Sequence, residues 1–182
     1  MFLKTFVIAV IYFLLFSSAN IFAQEIKERT ETIIKESFGK DVSFTFRKYT
    51  LPSNIKRKIE NTVKQKFFKD LLYVYKISVK DTIVAFGFLD NVIGKSMPIT
   101  FFVLLDVEGS IISTNIIKYR EPYGGAVSNE NWNEQFTGKN SNSDFTVGKS
   151  VNGISGATLS VNSVTKGIRK ITILCEEIKD GI

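Results

Sequence analysis

Residues 71–119 read LLYVYKISVKDTIVAFGFLDNVIGKSMPITFFVLLDVEGSIISTNIIKY, and this stretch decides the fold. It contains four runs rich in β-branched and aromatic residues, the types that favour strands, at 71–79, 82–89, 98–105 and 111–119. The segments between these runs are short and carry turn-forming residues. We therefore expect consecutive strands to pair antiparallel as a meander.

Upstream of the meander, the pattern predicts one more strand between two helices. Residues 42–49 alternate apolar and polar side chains, which is typical of a half-buried strand, so the sheet should have about four to five strands. Residues 25–38 have helical spacing and end at Gly39, a plausible helix terminus. Residues 55–69 combine an apolar stripe with the densest basic stretch of the chain. That stretch is a solvated helix face or, as a weaker hypothesis, a surface for anionic lipid or an acidic partner.

Downstream of the meander, residues 129–136 favour a short helix, and a long amphipathic helix begins at Thr158. The apolar residues of the long helix recur in steps of three and four and define one buried stripe: Val161, Val164, Ile168, Ile171, Leu174 and Ile178. The expected fold class is α+β, with a central antiparallel sheet covered by helices and a long C-terminal helix.

The N-terminal segment has the features of an export signal. Lys4 precedes an apolar run, and a candidate cleavage point follows Ala23. We expect residues 1–23 to be a signal peptide or an uncleaved N-terminal anchor, and residues 24–182 to form a single domain. The domain should then be exported, either periplasmic or on the outer face of the cytoplasmic membrane.

Composition excludes several kinds of chemistry. The chain has no histidine and one cysteine, Cys175, so a Ser-His-Asp triad, a histidine-ligated haem and an intramolecular disulfide cannot be built from it. We expect no protein-ligated metal and assign Cys175 to the core. The net charge of +6 comes from scattered lysines, so we do not expect nucleic-acid binding. Redox or group-transfer chemistry would need a bound cofactor.

The segment Ser155-Gly156-Ala157-Thr158 carries a hydroxyl at the point where a flexible loop becomes the last helix. The first turn of a helix has unpaired N–H groups and the positive end of the helix dipole, which together favour an anion. A threonine in this position can cap the helix, bind a phosphate or be esterified by one.

A second segment, Glu121-Pro122-Tyr123-Gly124-Gly125, follows the last expected strand. Two adjacent glycines let a flat ligand approach the main chain, while Glu121 and Tyr123 supply polar and stacking groups. Taken alone, the segment favours a plain turn over a ligand site.

In this order, the two segments resemble the FMN-binding domain family found in the G subunit of Rnf and the C subunit of Nqr redox complexes. That family carries a Glu-Thr-Pro-Gly-x-Gly loop, then an aromatic-rich segment, then Asp-x-x-Ser/Thr-Gly-Ala-Thr before the C-terminal helix. The matching pieces here are residues 121–125, residues 131–136 with Trp132 and Phe136, and residues 152–158. Asn152 stands where the family has the aspartate, and no threonine separates Glu121 from Pro122.

The resemblance implies a covalent FMN. The last threonine of the motif, Thr158 here, would be linked to the FMN phosphate by a phosphoester that a separate flavin transferase installs from FAD. The cofactor-binding residues would be Ser155, Gly156, Ala157, Thr158, Glu121, Tyr123, Gly124 and Gly125. The partner would be a membrane redox complex or another electron-transfer protein.

Three functions remain open from the sequence. The first is an electron carrier without a substrate, and the second is a small flavin-dependent reductase with Glu121 as its proton donor. The third is a binding module without flavin, which Asn152 keeps open. Trp132 or Phe136 would either flank the flavin ring or belong to the core.

Overall fold

The computed structural model describes residues 23–182, and the segment 1–22, which holds most of the expected export signal, lies outside the described residues. Its elements in chain order are α1 (23–38), β1 (Val42–Thr50), α2 (Ser53–Val63), β2 (Leu71–Val79), β3 (Thr82–Ile93), β4 (Pro98–Asp106), β5 (Ile111–Lys118), α3 (Glu130–Glu134) and α4 (Thr158–Ile178). Short 3₁₀ helices cover Gly125–Ser128 and Lys179–Gly181. Among residues 23–182, no helix has both the length and the apolar character needed to cross a bilayer.

The five strands form one sheet in the order β1-β2-β3-β4-β5, and every neighbouring pair is antiparallel. The meander is therefore confirmed, and β1 joins it as an edge strand beside β2. Short connections produce this order because a tight turn returns the chain beside the strand it has just left. The α+β class with a long C-terminal helix is confirmed as well.

Helices cover both faces of the sheet. On one face, Phe101 and Val103 of β4 pack in a core that includes Val161 and Ile168 of α4. On the other face, Phe102 and other sheet residues pack in a core with a buried residue of α1, Ile34. Successive strand residues point to opposite faces, so a strand covered on both sides reads as an unbroken apolar run. That is the reason for the sequence ITFFVLL in β4.

A glycine sets how closely α4 approaches the sheet. A Cβ built on Gly167 would lie 2.7 Å from Val92 Cγ1, closer than carbon atoms pack, and 3.0 Å from Phe101 Cζ, a tight contact. The absence of a side chain therefore lets the helix backbone rest against β3 and β4. This contact lies nine residues after Thr158 and fixes the distance between the middle of α4 and the sheet.

Two element boundaries differ from the sequence expectation. α2 ends at Val63, because Lys64 adopts a left-handed conformation with φ of 54°, and Phe67 lies beyond the helix with its N–H donating to Glu60 Oε1 at 2.8 Å. β3 continues to Ile93, so Asp90 is a strand residue, 4% exposed, and not part of a turn. In both cases long-range packing overrides the local pattern.

Candidate functional site

A pocket of about 450 Å³ lies where the first turn of α4 meets the loop after β5 and the β3–β4 turn. It brings together the two segments that the sequence singled out, although about 30 residues separate them in the chain. Its lining residues are Lys95, Ser96, Glu121, Pro122, Tyr123, Gly156, Ala157, Thr158, Leu159 and Ser160.

The helix end at this pocket presents free backbone donors. Ala157 occupies the N-cap position, and its side chain makes no capping bond. The first helical hydrogen bond runs from Val161 N to Ala157 O at 2.9 Å. Within residues 23–182, the N–H groups of Thr158, Leu159 and Ser160 have no acceptor. Three free donors at the positive end of a 21-residue helix suit a phosphate.

Thr158 is exposed and is the first residue of α4, so it does not cap the helix. Its hydroxyl makes no hydrogen bond with any described residue. Just before it, Gly156 has φ of +77°, a conformation that L side chains rarely adopt. The left-handed turn at Gly156 therefore leads the chain into the helix with the Thr158 hydroxyl free to react.

A hydrogen-bonded tyrosine ties the loop after β5 to α4. Tyr119 Oη donates to the carbonyl of Tyr123, and it lies 3.0 Å from the buried Ser160 Oγ. Because the single phenolic proton is used on Tyr123, Ser160 is the donor in the second bond. Gly124 fits the same contact, since a Cβ there would lie 2.8 Å from Tyr119 Oη and 3.3 Å from Ala157 Cβ.

Glu121 binds main chain rather than offering a proton. Its Oε1 accepts from Ser96 N at 2.7 Å and from Met97 N at 2.9 Å, and its Oε2 lies 3.3 Å from Ser96 Oγ. The backbone N–H donors of Met97 and Ser96 lower the pKa of Glu121. The carboxylate is therefore ionised near neutral pH and fixes the β3–β4 turn, which argues against Glu121 as a proton donor.

The β3–β4 turn is the part of the site that sequence reasoning missed. Lys95 brings a cation to the pocket wall, and Gly94 permits the close approach of Glu121, since a Cβ on Gly94 would lie 2.8 Å from Glu121 Oε1. The available signal was the lone glycine in the turn between two strands. Ser160 was missed too, although it lies one helical turn from Ala157 and thus on the same face.

The aromatic segment of residues 131–136 packs in the core and hydrogen-bonds the loop that leads to Thr158. Trp132 is 8% exposed and Phe136 is fully buried, and both belong to the core, so they pack there instead of flanking a ligand. The Trp132 indole donates to the carbonyl of Asn152 at 2.8 Å, and Gln135 Oε1 accepts from Asn152 N at 2.6 Å. Asn152 is thus held by its backbone, while its side chain is exposed and makes no hydrogen bond with residues 23–182.

Five of the eight expected cofactor-binding residues line the pocket: Glu121, Tyr123, Gly156, Ala157 and Thr158. Ser155 is exposed next to it, Gly124 contacts Ala157 from behind, and Gly125 begins a 3₁₀ helix. In the described part of the chain, no group of three or more Cys, Asp or Glu side chains is arranged to hold a metal ion.

The residues of this site fit a flavin phosphate. Free N–H groups, Lys95 and an unpaired hydroxyl supply the donors and the cation that a phosphate needs. Two apolar side chains that line the pocket are exposed, Tyr123 at 83% and Leu159 at 56%, so a flat ring has a surface to cover. The fold and site together define an α+β domain with a pocket at a helix N-terminus whose groups suit a phosphate.

Comparison with known families agrees with this assignment. Residues 94–172 match the model of the FMN-binding domain family, so the resemblance seen in the sequence motifs is confirmed. The match extends from the β3–β4 turn to within two turns of the end of α4, and it includes every pocket residue. It supports FMN as the bound cofactor. A search of curated proteins gave no significant match.

Proposed function

We propose that this protein is an exported electron-transfer flavoprotein whose FMN is joined by a phosphoester to Thr158 Oγ1. The observation that carries the proposal is the exposed, unpaired Thr158 hydroxyl among three free N–H groups at the start of α4. In the attachment, the Thr158 hydroxyl gives up its proton and its oxygen bonds to the flavin-side phosphorus of FAD, while the pyrophosphate bond breaks and AMP leaves, with the proton passing to AMP or solvent. The transferase that catalyses it is a separate protein.

When bound, FMN would supply one- and two-electron redox chemistry, and the residues lining the pocket would hold it. Lys95 and the helix end balance the phosphate charge, while Gly156 leaves the approach to Thr158 open. Tyr123 and Leu159 offer apolar surface to the ring. The Tyr119–Ser160 bond keeps the two walls of the pocket together.

We favour a carrier over a reductase. A reductase needs a proton donor near the ring, and the one acidic side chain lining the pocket, Glu121, has a lowered pKa and is engaged with Ser96 and Met97. A carrier passes electrons without that group. Export and a membrane redox complex, or another electron-transfer protein, as partner are parts of the same proposal, motivated by the apolar segment at 6–16 and the following residues up to Ala23.

The test is co-expression with a flavin transferase, followed by denaturing electrophoresis and intact-mass measurement. The wild type should give a fluorescent band that survives denaturation, and Thr158→Val should lose it. Thr82→Val is the matched control, because it makes the same substitution at an exposed threonine at the start of β3, outside the pocket, and should keep the band. A colourless wild-type band, or a fluorescent Thr158→Val band, would defeat covalent attachment at this residue.

A substitution at Asn152 provides a second test of the attachment. If the transferase uses an acidic residue at this position, Asn152→Asp should raise the labelled fraction, since the exposed side chain makes no hydrogen bond with residues 23–182 that the change would break. Intact mass of protein from its own cells also reports whether the chain is cleaved after Ala23. A full-length, unmodified mass would count against both cleavage and attachment.

A further inference from the structure

A second concave surface lies beside the flavin pocket. This basic groove, of about 500 Å³, is formed by the end of α2, the residues after it, β3 and the second turn of α4. Its lining residues are Lys64, Gln65, Lys66, Phe67, Phe68, Asn91, Val92, Ile93, Asn162, Ser163 and Lys166.

The groove combines an apolar floor with a basic rim. Phe68 and Ile93 are exposed by 38% and 46% respectively, so both side chains present apolar surface to the groove. Lys64, Lys66 and Lys166 surround them, and no carboxylate is among the described residues that line the groove. Interfaces with an apolar centre and charged surroundings are typical of protein docking sites.

Lys64 and Lys66 belong to the basic stretch of residues 55–69, whereas Lys166 belongs to α4. Lys56 pairs with Asp70 and Lys58 pairs with Glu177, so two of the three cations on α2 are neutralised. In contrast, Lys64, Lys66 and Lys166 have no ion-pair partner among residues 23–182. Three cations without an ion-pair partner in the described part of the chain therefore lie together at the groove.

The groove and the flavin pocket share two structural elements. Ser160 lines the pocket while Asn162 and Ser163 line the groove, about 3 to 5 Å further along the same helix. Likewise, Ile93 lines the groove and Lys95 lines the pocket within one β3–β4 connection. A protein seated in the groove would therefore rest next to the flavin.

We infer that the basic groove docks an acidic electron-transfer protein that exchanges electrons with the flavin. The inference rests on the proposed function for the role of the flavin, but the docking itself needs only the groove. Its concave shape suits a protruding acidic segment with an apolar tip better than a flat bilayer. Opposite charge steers such a partner and orients it before contact.

The test measures binding of a plant-type [2Fe–2S] ferredoxin, used as a small acidic probe, to the flavin-free protein. Affinity should fall steeply as ionic strength rises from about 10 to about 150 mM, because the screening length shortens from about 30 to about 8 Å. Lys66→Glu/Lys166→Glu should weaken binding about tenfold or more at low salt.

The matched control is Lys35→Glu/Lys40→Glu. These two lysines are exposed, have no ion-pair partner within residues 23–182, and lie on the α1 side of the molecule. Both double variants change the net charge by the same amount, from +6 to +2, so a general charge effect would weaken binding equally. Equal weakening, or unchanged binding in the groove variant, would overturn the inference.

Two further measurements distinguish this inference from its alternatives. Binding to phosphatidylserine vesicles and not to the ferredoxin would assign the groove to a membrane instead and refute the acidic protein. In flavin-loaded protein, one electron should pass from the reduced cluster to the flavin, and its rate should fall in the groove variant by the same factor as affinity. Failure of the flavin attachment would be seen by mass alone and would leave the binding result standing.

Discussion

A buried ion pair between the sheet and the last helix provides the sharpest test of the energetics. Lys170 of α4 is fully buried and Asp90 of β3 is 4% exposed, with 3.4 Å between Lys170 Nζ and Asp90 Oδ2. Lys170 Nζ also donates to the carbonyl of Lys66 at 3.1 Å and lies 4.3 Å from the centre of the Phe67 ring. Burial raises the pKa of Asp90 and lowers that of Lys170, while each partner opposes the shift of the other.

The perturbation is Lys170→Met, which keeps the length of the side chain and removes its charge. Asp90 then lacks its counter-ion and takes up a proton, since a bare buried carboxylate costs more. Protonating a carboxyl whose ordinary pKa is 3.8 costs about 1.4 kcal/mol for each pH unit above that pKa. The expected loss of stability is therefore about 4 kcal/mol at pH 7 and about 2 kcal/mol at pH 5. The folded variant holds a proton that the unfolded chain releases, and its stability therefore falls as pH rises through this range.

Urea denaturation at pH 5 and pH 7 measures the two values. Lys166→Met is the control, because this exposed lysine lies one turn away on the same helix and should change stability by less than about 0.5 kcal/mol. The double variant Asp90→Leu/Lys170→Met should cost less than the sum of the single changes, since neither charge is left alone. A loss below about 1 kcal/mol at pH 7, or the same loss at both pH values, would refute the reasoning.

Three further predictions concern the site and the core. Gly156→Ala should destabilise the fold by about 1 to 2 kcal/mol in denaturant titrations, because Gly156 has a left-handed φ. Gly153→Ala should cost less, since Gly153 has no such φ and no atom near its Cβ position, and equal costs would contradict the prediction. The hydrogen bonds to Glu121 should persist above its ordinary pKa of 4.5 and be lost as pH falls through its lowered folded pKa. The NMR resonance of the Ser96 amide should therefore shift below pH 4.5, and a titration midpoint of that resonance at or above pH 4.5 would be inconsistent with the prediction. Burial raises the pKa of Cys175 to about 12, so a thiol reagent should label it only after unfolding, and rapid labelling of native protein would count against a core position.

Much of the fold was readable because its signals are local. β-Branched and aromatic runs with short turns specify an antiparallel meander, and the 3.6-residue period of the final stripe specifies a helix. The end of α2 was not readable, because Phe67 continues the helical spacing while its side chain reaches the core from a loop. The burial of Asp90 could not be predicted from the sequence either, because its ion-pair partner, Lys170, lies 80 residues away in the chain.

For the site, the sequence supplied the chemical groups and the tertiary structure supplied their arrangement. A hydroxyl at a helix start and a glycine pair after a strand are visible in the chain, and the family match covers both. The β3–β4 turn was not visible as part of the site, because only the pairing of β4 with β5 brings Ser96 next to Glu121. Thus the sequence by itself determined the fold class and the motif at Thr158, whereas folding decided that Glu121 binds main chain and that Lys95 and the basic groove lie beside the pocket. The physical reason is that local propensity acts over a few residues, while a pocket depends on contacts between segments far apart in the chain.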